Sequence, residues 1–300
     1  MKKIYMAGVG GMLGEAFYKV FKDDFEVKCS DIDLNEKWLT RLDFRDEDSY
    51  RNEVVEFNPD YLFHIGAFTD LEYCELHEED TYETNTKSVE HAVNISNDLN
   101  IPLLYVSTAG IFDGKKDFYD ETDQPNPLGH YGRSKYLGEV AVQENSKDYI
   151  ICRAGWMMGA GASKDKKFIQ KLFKQINAGA SSLNIVNDKL GTPTYTHDFA
   201  NNVKLLIDKD ERGLFNMVCQ GLTGRLEVAN ELVSLIGLKG QIEVNEVSSE
   251  YFSEEYFAER PECERLINKR LDDLNLNIMR DWRVALKDYI EEYYSDMIVK

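Results

Sequence analysis

The chain has 300 residues, 43% of them hydrophobic and 12% aromatic, enough to bury a core without metal or disulfide staples. Its 35 Lys+Arg against 54 Asp+Glu give a net charge of −19. That field repels phosphate backbones and anionic bilayers, so neither nucleic acid nor membrane is expected as a partner. No apolar run approaches bilayer length, and the short apolar start is interrupted at once by glycines. The five cysteines, Cys29, Cys74, Cys152, Cys219 and Cys263, are scattered and odd in number. With no CxxC, HxxxH or HExxH spacing, they read as reduced thiols of a cytoplasmic protein, and no metal site is expected.

In chain order, Lys3–Ala7 reads as a first strand, Met12–Phe21 as a helix, Phe25–Ser30 as a second strand and Ser49–Phe57 as a helix. Tyr61–Ile65 is a third strand, Thr81–Leu99 a long helix, Leu103–Ser107 a fourth strand, Ser134–Asn145 a helix and Tyr149–Arg153 a fifth strand. Short strands that are apolar throughout belong to a sheet covered on both faces. Strand and helix in alternation imply right-handed crossovers, hence an α/β, doubly wound, parallel sheet of the Rossmann type. The pattern loosens after Arg153. Trp156–Gly161 reads as a glycine-rich loop, Lys166–Gln175 as a helix and Leu183–Thr196 as an irregular strand and loop. Asp198–Ile207 is a helix, Gly213–Cys219 a strand, Arg225–Gly237 a helix and Ile242–Val244 a short strand. Ser248–Glu264 is acidic and carries few structural cues, and Asp281–Tyr294 is a terminal amphipathic helix. The division expected is a dinucleotide-binding domain over 1–153, with a return segment around 195–220, and a smaller interleaved substrate lobe over 154–300.

Gly8, Gly11 and Gly14 follow the first strand in GxxGxxG spacing and open the first helix. Glycine allows the tight turn and close backbone approach to a pyrophosphate, and the helix N-terminus offers N–H groups to it. Asp31 ends the second strand, 17 residues after Gly14, where a carboxylate accepts from ribose hydroxyls and repels a 2′-phosphate. No arginine follows closely. Arg41 is ten residues on and returns to the site only through a loop path that the pattern does not foresee, so NADH is expected to be preferred over NADPH. Tyr131 and Lys135, four apart, share a helix face, where an ammonium beside the phenol would lower its pKa. Thr108 ends the fourth strand, at the carboxyl edge where ligands bind, and its hydroxyl can bond a substrate carbonyl oxygen. Asn85 lies mid-helix, a poor place for asparagine unless it has a polar role.

With these residues in place the chain resembles the extended short-chain dehydrogenase/reductases, most closely the dTDP-4-dehydrorhamnose reductases. The likeness spans Gly8-x-x-Gly11-Met12-Leu13-Gly14, Leu42-Asp43-Phe44-Arg45-Asp46, Gly66-Ala67-Phe68-Thr69-Asp70 with Cys74-Glu75, and Asn85. It continues through Ser107-Thr108 with Ile111-Phe112-Asp113-Gly114, Tyr131 and Lys135, Gly138-Glu139, Arg153 to Trp156, Asn187 to Thr194, Arg260-Pro261 and Trp282. The resemblance implies NAD(P)H-dependent reduction of a nucleotide-sugar 4-ketone, by a monomer or homodimer. It makes Thr108, Tyr131, Lys135 and Asn85 catalytic, with Asn85 supporting Lys135 through water. It places Gly8, Gly11, Met12, Leu13, Gly14, Asp31, Asp43, Phe44, Gly66, Ala67, Thr69, Tyr131 and Lys135 on the cofactor, and Thr69, Thr108, Trp156 and Arg260 on the substrate. Ala109-Gly110 depart from the family's Asp-Tyr. They enlarge the pocket beside Thr108 and leave the sugar open, and they remove the acid pair that a 4,6-dehydratase needs. Two alternatives stand beside the reductase: a nucleotide-sugar 4-epimerase, and a non-catalytic NAD(P)-binding subunit like that of methionine adenosyltransferase.

Overall fold

The protein is described by a computed structural model covering residues 1–299. Its centre is a seven-stranded, all-parallel sheet. The strands are β1 (Lys3–Ala7), β2 (Glu26–Asp31), β3 (Leu39–Arg41), β4 (Tyr61–His64), β5 (Leu103–Thr108), β6 (Tyr149–Ala154) and β7 (Gly213–Asn216), in spatial order β7-β6-β5-β4-β1-β2-β3. Successive residues of each strand feed two separate cores. Ile4, Met6, Phe63, Leu104, Val106 and Cys152 pack on one face, and Tyr5, Ala7, Leu62, Leu103, Tyr105 and Ile151 on the other. That division is why these strands are apolar throughout rather than alternating. Helix α1 (Met12–Phe21) packs on α5 (Thr196–Asp208) over the first face, and α2 (Glu47–Phe57), α3 (Ser88–Leu99) and α4 (His130–Asn145) cover the second. All five cysteines are buried and free. Among the described residues no helix is long and apolar enough to cross a membrane.

Several elements differ from the sequence reading. β3 was not expected: three residues ending in Thr40-Arg41 carry too little pattern, yet they extend the sheet past β2 with Asp31 and Arg41 as Cα partners. The helix expected over Thr81–Leu99 is broken, because Glu83–Lys87 forms a π turn ahead of α3. α4 starts at His130, four residues before Ser134, and Glu75 supplies the reason: its Oε1 accepts from the His130 N–H at 2.6 Å and so caps the helix. Trp156–Met158 is a strand, not a loop, paired in parallel with Pro193–Tyr195. Beyond it, Ser182–Val186 pairs with Glu243–Val247, and Leu190–Gly191 is flanked by Thr223–Gly224 and Cys263–Glu264.

Where the chain turns back across the sheet, one buried ion pair fastens α4 to β6. Arg153 donates to Glu139 from two nitrogens, Nε at 3.1 Å and NH2 in a shorter contact, and both side chains are almost fully buried. Removing one member strands the other charge away from water, whereas replacing both by apolar groups does not. Glu139→Ala is therefore expected to destabilise the fold by about 3–5 kcal/mol, measured by urea denaturation. Arg153→Met combined with Glu139→Leu should recover most of that loss.

Candidate functional site

The sheet order reverses between β1 and β4, and a crevice opens there at the carboxyl ends of the strands. The glycine loop forms one wall. Gly8 has φ +75° and packs so closely on Gly66 that a side-chain carbon would fall 2.2 Å from the Gly66 Cα; at Gly14 such a carbon would lie 2.0 Å from the Val9 carbonyl oxygen. At Gly11, by contrast, nothing lies within 4 Å. Gly11 precedes the first turn of α1, which has no side-chain cap. The open backbone and free helix N–H groups therefore fit a dinucleotide pyrophosphate. Leu13 is buried in the core, so it can offer a ligand only its backbone.

The expected adenosine side is brought together with additions. Asp31 Oδ2 accepts from the Gly10 N–H at 2.7 Å and Oδ1 from the Asp33 N–H at 3.0 Å, and Asn35 Nδ2 holds the Gly10 carbonyl at 2.9 Å. Gly10 and Asn35 are site residues that the sequence did not single out. Asp31 thus shapes the loop through both of its oxygens. The path denied to Arg41 exists: β3 returns it beside Asp31, with its side chain exposed. Phe44 packs its ring beneath Gly8 and Gly66. Asp43 is engaged by Arg45 at 2.6 and 2.9 Å, and that guanidinium holds its carboxyl below the usual range. Ala67 is partly exposed beside them.

Tyr131 and Thr108 converge at the end of β5, with Lys135 one turn further along α4. A carbon added at Gly110 would lie 3.4 Å from Tyr131 Cε1 and 3.5 Å from Thr108 Oγ1. Burial pushes the Tyr131 phenol up to about 12; the Thr108 hydroxyl opposes the rise and the Glu264 carboxylate adds to it. Lys135 is buried, and its Nζ donates to the Val106 carbonyl at 2.7 Å above the Tyr105 ring. Burial brings its ammonium down to about 7, with Glu139 opposing. This corrects the expectation that Lys135 lowers the Tyr131 phenol: the lysine turns toward β5, and the phenol is raised. Asn85 also acts differently from the relay implied for it. Its Oδ1 accepts from the Phe68 N–H at 2.8 Å, and its Nδ2 donates to the Phe68 carbonyl at 3.0 Å and to Ser134 Oγ at 3.1 Å. It clamps the 66–70 segment to the helix that carries Tyr131.

The residues expected on the substrate side are partly committed elsewhere. Thr69 receives Lys167 Nζ at its hydroxyl and carbonyl, at 3.0 and 2.8 Å. Arg260 pairs with Glu72 at 2.7 Å. Trp156 Nε1 donates to Glu264 Oε2 at 2.8 Å, and the Arg225 guanidinium lies 4.5 Å over the Trp156 ring and 4.8 Å over that of Phe168. Sequence reasoning missed Arg225, Glu264 and Lys167, none of which stands in a local motif. An open groove of about 910 Å³ runs past Tyr195, His197, Arg280 and Glu292, but none of the residues above lines it. Among the described residues no group of three His, Cys, Asp or Glu side chains is placed to hold a metal ion.

The depressed lysine has a measurable consequence. Lys135 releases its proton near pH 7 in the folded chain and near 10.4 in the unfolded one. Between these values the unfolded state binds more protons, so this group's contribution to stability rises with pH. The stability of wild type relative to Lys135→Met should therefore increase from pH 6.5 to pH 9.5 in paired denaturation curves. A difference that stays flat or falls with pH contradicts the depressed value.

Comparison with known proteins gives the family and the fold. The RmlD substrate binding domain family matches residues 1–295. The spore coat polysaccharide biosynthesis protein SpsK of Bacillus subtilis is 29% identical over 297 residues, covering 98% of this chain and 99% of its own. A solved dTDP-4-dehydrorhamnose reductase from Yersinia enterocolitica is 29% identical with a TM-score of 0.87, covering 98% of this chain and 100% of its own. The Bacillus anthracis dTDP-4-dehydrorhamnose reductase, solved in complex with NADP, superposes with a TM-score of 0.88 at 24% identity, over 97% of this chain and 99% of its own. With a Rossmann sheet, a glycine loop at its switch point and a match over nearly its whole length, this chain belongs to the RmlD substrate binding domain family of NAD(P)-dependent oxidoreductases.

Proposed function

We propose that the chain reduces the 4-keto group of a nucleotide-diphosphate 6-deoxy-sugar, with dTDP-4-dehydrorhamnose to dTDP-rhamnose as the leading conversion, in the making of a cell-surface polysaccharide. The observation that carries this reading is the convergence of the Tyr131 ring and the Thr108 hydroxyl on the space above Gly110. A phenol held near 12 stays protonated across the neutral range, so Tyr131 has a proton to give as the carbonyl oxygen becomes an alkoxide. Thr108 hydrogen-bonds the same oxygen and steadies the charge that develops there. Lys135, charged or neutral near pH 7, can leave Val106 to meet ribose hydroxyls. Bound nicotinamide supplies the hydride. Residues 1–153 hold the dinucleotide in this reading and 154–300 mainly the sugar nucleotide. The intact Thr108, Tyr131 and Lys135 set favours turnover over a purely binding role.

The test is NADH or NADPH oxidation with a panel of dTDP-4-keto-6-deoxy sugars, with product stereochemistry read at C4. Tyr131→Phe should lower kcat by about 10²–10⁴-fold and leave cofactor affinity largely unchanged, since the ring still packs on α4. A variant keeping more than about a tenth of the rate would remove Tyr131 from the acid role. Purified protein that retains NAD through repeated turnover would point instead to a 4-epimerase.

Cofactor choice turns on two neighbouring side chains. Asp31 favours the free hydroxyls of NADH, while Arg41, its partner across the β2–β3 ladder, offers a guanidinium to a 2′-phosphate. Both cofactors are therefore expected to work, with the NADH preference modest. Arg41→Ala should lower kcat/KM for NADPH several-fold more than for NADH, and Asp31→Ala should move the ratio the other way. Equal losses for the two cofactors in Arg41→Ala would place Arg41 away from the ribose.

A further inference from the structure

The reaction above leaves one carboxylate at its centre unused. Glu264 belongs to Cys263–Glu264, which pairs in parallel with Leu190–Gly191. Gly191 lies against the Trp156 indole, where a side-chain carbon would fall 2.2 Å from the ring. That close approach seats Trp156 so that its Nε1 donates to Glu264 Oε2 at 2.8 Å. The other oxygen, Oε1, faces the catalytic end of the cleft: a carbon added at Gly110 would lie 3.4 Å from it, as from Tyr131, and 3.5 Å from the Thr108 hydroxyl. Among the described residues no hydrogen bond reaches Oε1. Gly110 has no side chain to close the space between this oxygen, the Tyr131 ring and the Thr108 hydroxyl, and the Ala109 methyl is buried in a core with Ile111 and Phe112.

We propose that Glu264 is the sugar-recognising residue of this cleft, its free Oε1 accepting from a hydroxyl on the ring carbon beside the carbonyl that Tyr131 and Thr108 address. The proposal rests on the reduction argued above. An ionised carboxylate only accepts hydrogen bonds, and its bonds to hydroxyl donors are among the stronger ones available. With Oε2 bonded to the indole, Oε1 is the oxygen left on the Gly110 side to meet a donor. A sugar lacking that hydroxyl would leave a half-buried carboxylate oxygen without a donor, which disfavours it more than the lost bond alone. The Arg225 guanidinium, 4.5 Å over the Trp156 ring, interacts with this carboxylate through its charge.

The test uses binding without turnover. Calorimetric titration of dTDP-glucose, and separately of dTDP, is made into the NAD⁺-loaded wild type, Glu264→Ala, Glu264→Gln and Gly110→Ala. Wild type should bind dTDP-glucose more tightly than dTDP. Glu264→Ala should weaken dTDP-glucose roughly ten- to hundredfold and leave dTDP within about twofold; Glu264→Gln, which keeps the indole bond and loses the charge, should fall between. Gly110→Ala guards against a folding defect. Its added methyl makes ordinary contacts with its neighbours, so it should fold normally and still weaken dTDP-glucose selectively. Equal losses for both ligands, no loss for either, or a wild type that does not favour dTDP-glucose would overturn the proposal. Selective loss in a chain that reduces no 4-keto sugar would keep Glu264's role and refute the reaction. Turnover without selective loss would do the reverse.

Discussion

The site depends on how one face of α4 meets the sheet. Tyr131, Lys135 and Glu139 are spaced four apart, so they rise along a single face of the helix. Each meets a different part of the sheet's carboxyl half: Tyr131 approaches Thr108 at the end of β5, Lys135 bonds the Val106 carbonyl inside β5, and Glu139 grips Arg153 on β6. Gly138 lets the faces come this close, since a side-chain carbon there would lie 2.7 Å from the Tyr105 hydroxyl. That hydroxyl in turn donates to the Lys135 carbonyl at 3.0 Å. The buried ion pair is a costly way to join a helix to a sheet, but it fixes the rotation of α4. The angle at which the Tyr131 oxygen is presented follows from that rotation.

The same close approach recurs at the other end of the crevice, with glycine as the means. Gly8 against Gly66 joins the first and fourth strands of the sheet through backbone alone, and Asn85 then holds the segment beyond Gly66 by both the N–H and the carbonyl of Phe68. Because Asn85 also reaches Ser134, the floor of the cofactor crevice and the helix carrying Tyr131 are one connected unit. The π turn over Glu83–Lys87 shifts the register of the helical chain just where Asn85 must point inward. π turns of this kind are commonly found at functional sites.

Much of this was legible in the sequence, where the physics is local. Glycine spacing after a strand and a Tyr-x-x-x-Lys pair on a helix each state a geometry within a few residues. The parts that were not legible depend on register between distant segments. β3 is three residues of mixed polarity, and only its pairing with β2 brings Arg41 to Asp31. Glu264 sits at the end of an acidic, patternless stretch, and reaches the cleft because Cys263–Glu264 pairs with Leu190–Gly191. The four-residue spacing points Lys135 at Tyr131, but the burial that depresses its ammonium comes from β5 and Tyr105, which no spacing on α4 announces.

Charge gives the second half of the chain its own logic. A protein of net charge −19 repels the dinucleotide and sugar nucleotide of its proposed reaction, both of them anions, unless cations are held at fixed points. Around Trp156 it holds them without neutralising them. Arg225 lies over two aromatic rings, Lys171 over Tyr256 with its Nζ on that hydroxyl at 2.7 Å, and Lys167 bonds Thr69. Among the described residues none of the three is ion-paired to a carboxylate. Aromatic faces and neutral oxygens orient a cation and leave its charge available, whereas a carboxylate partner, such as Glu72 on Arg260, offsets much of it. Burial makes Arg225 less comfortable as a cation, which is the condition under which an incoming phosphate is most welcome. The rings that the sequence presents as scattered aromatics therefore act electrically: they let an acidic protein hold cations in place without pairing them to carboxylates.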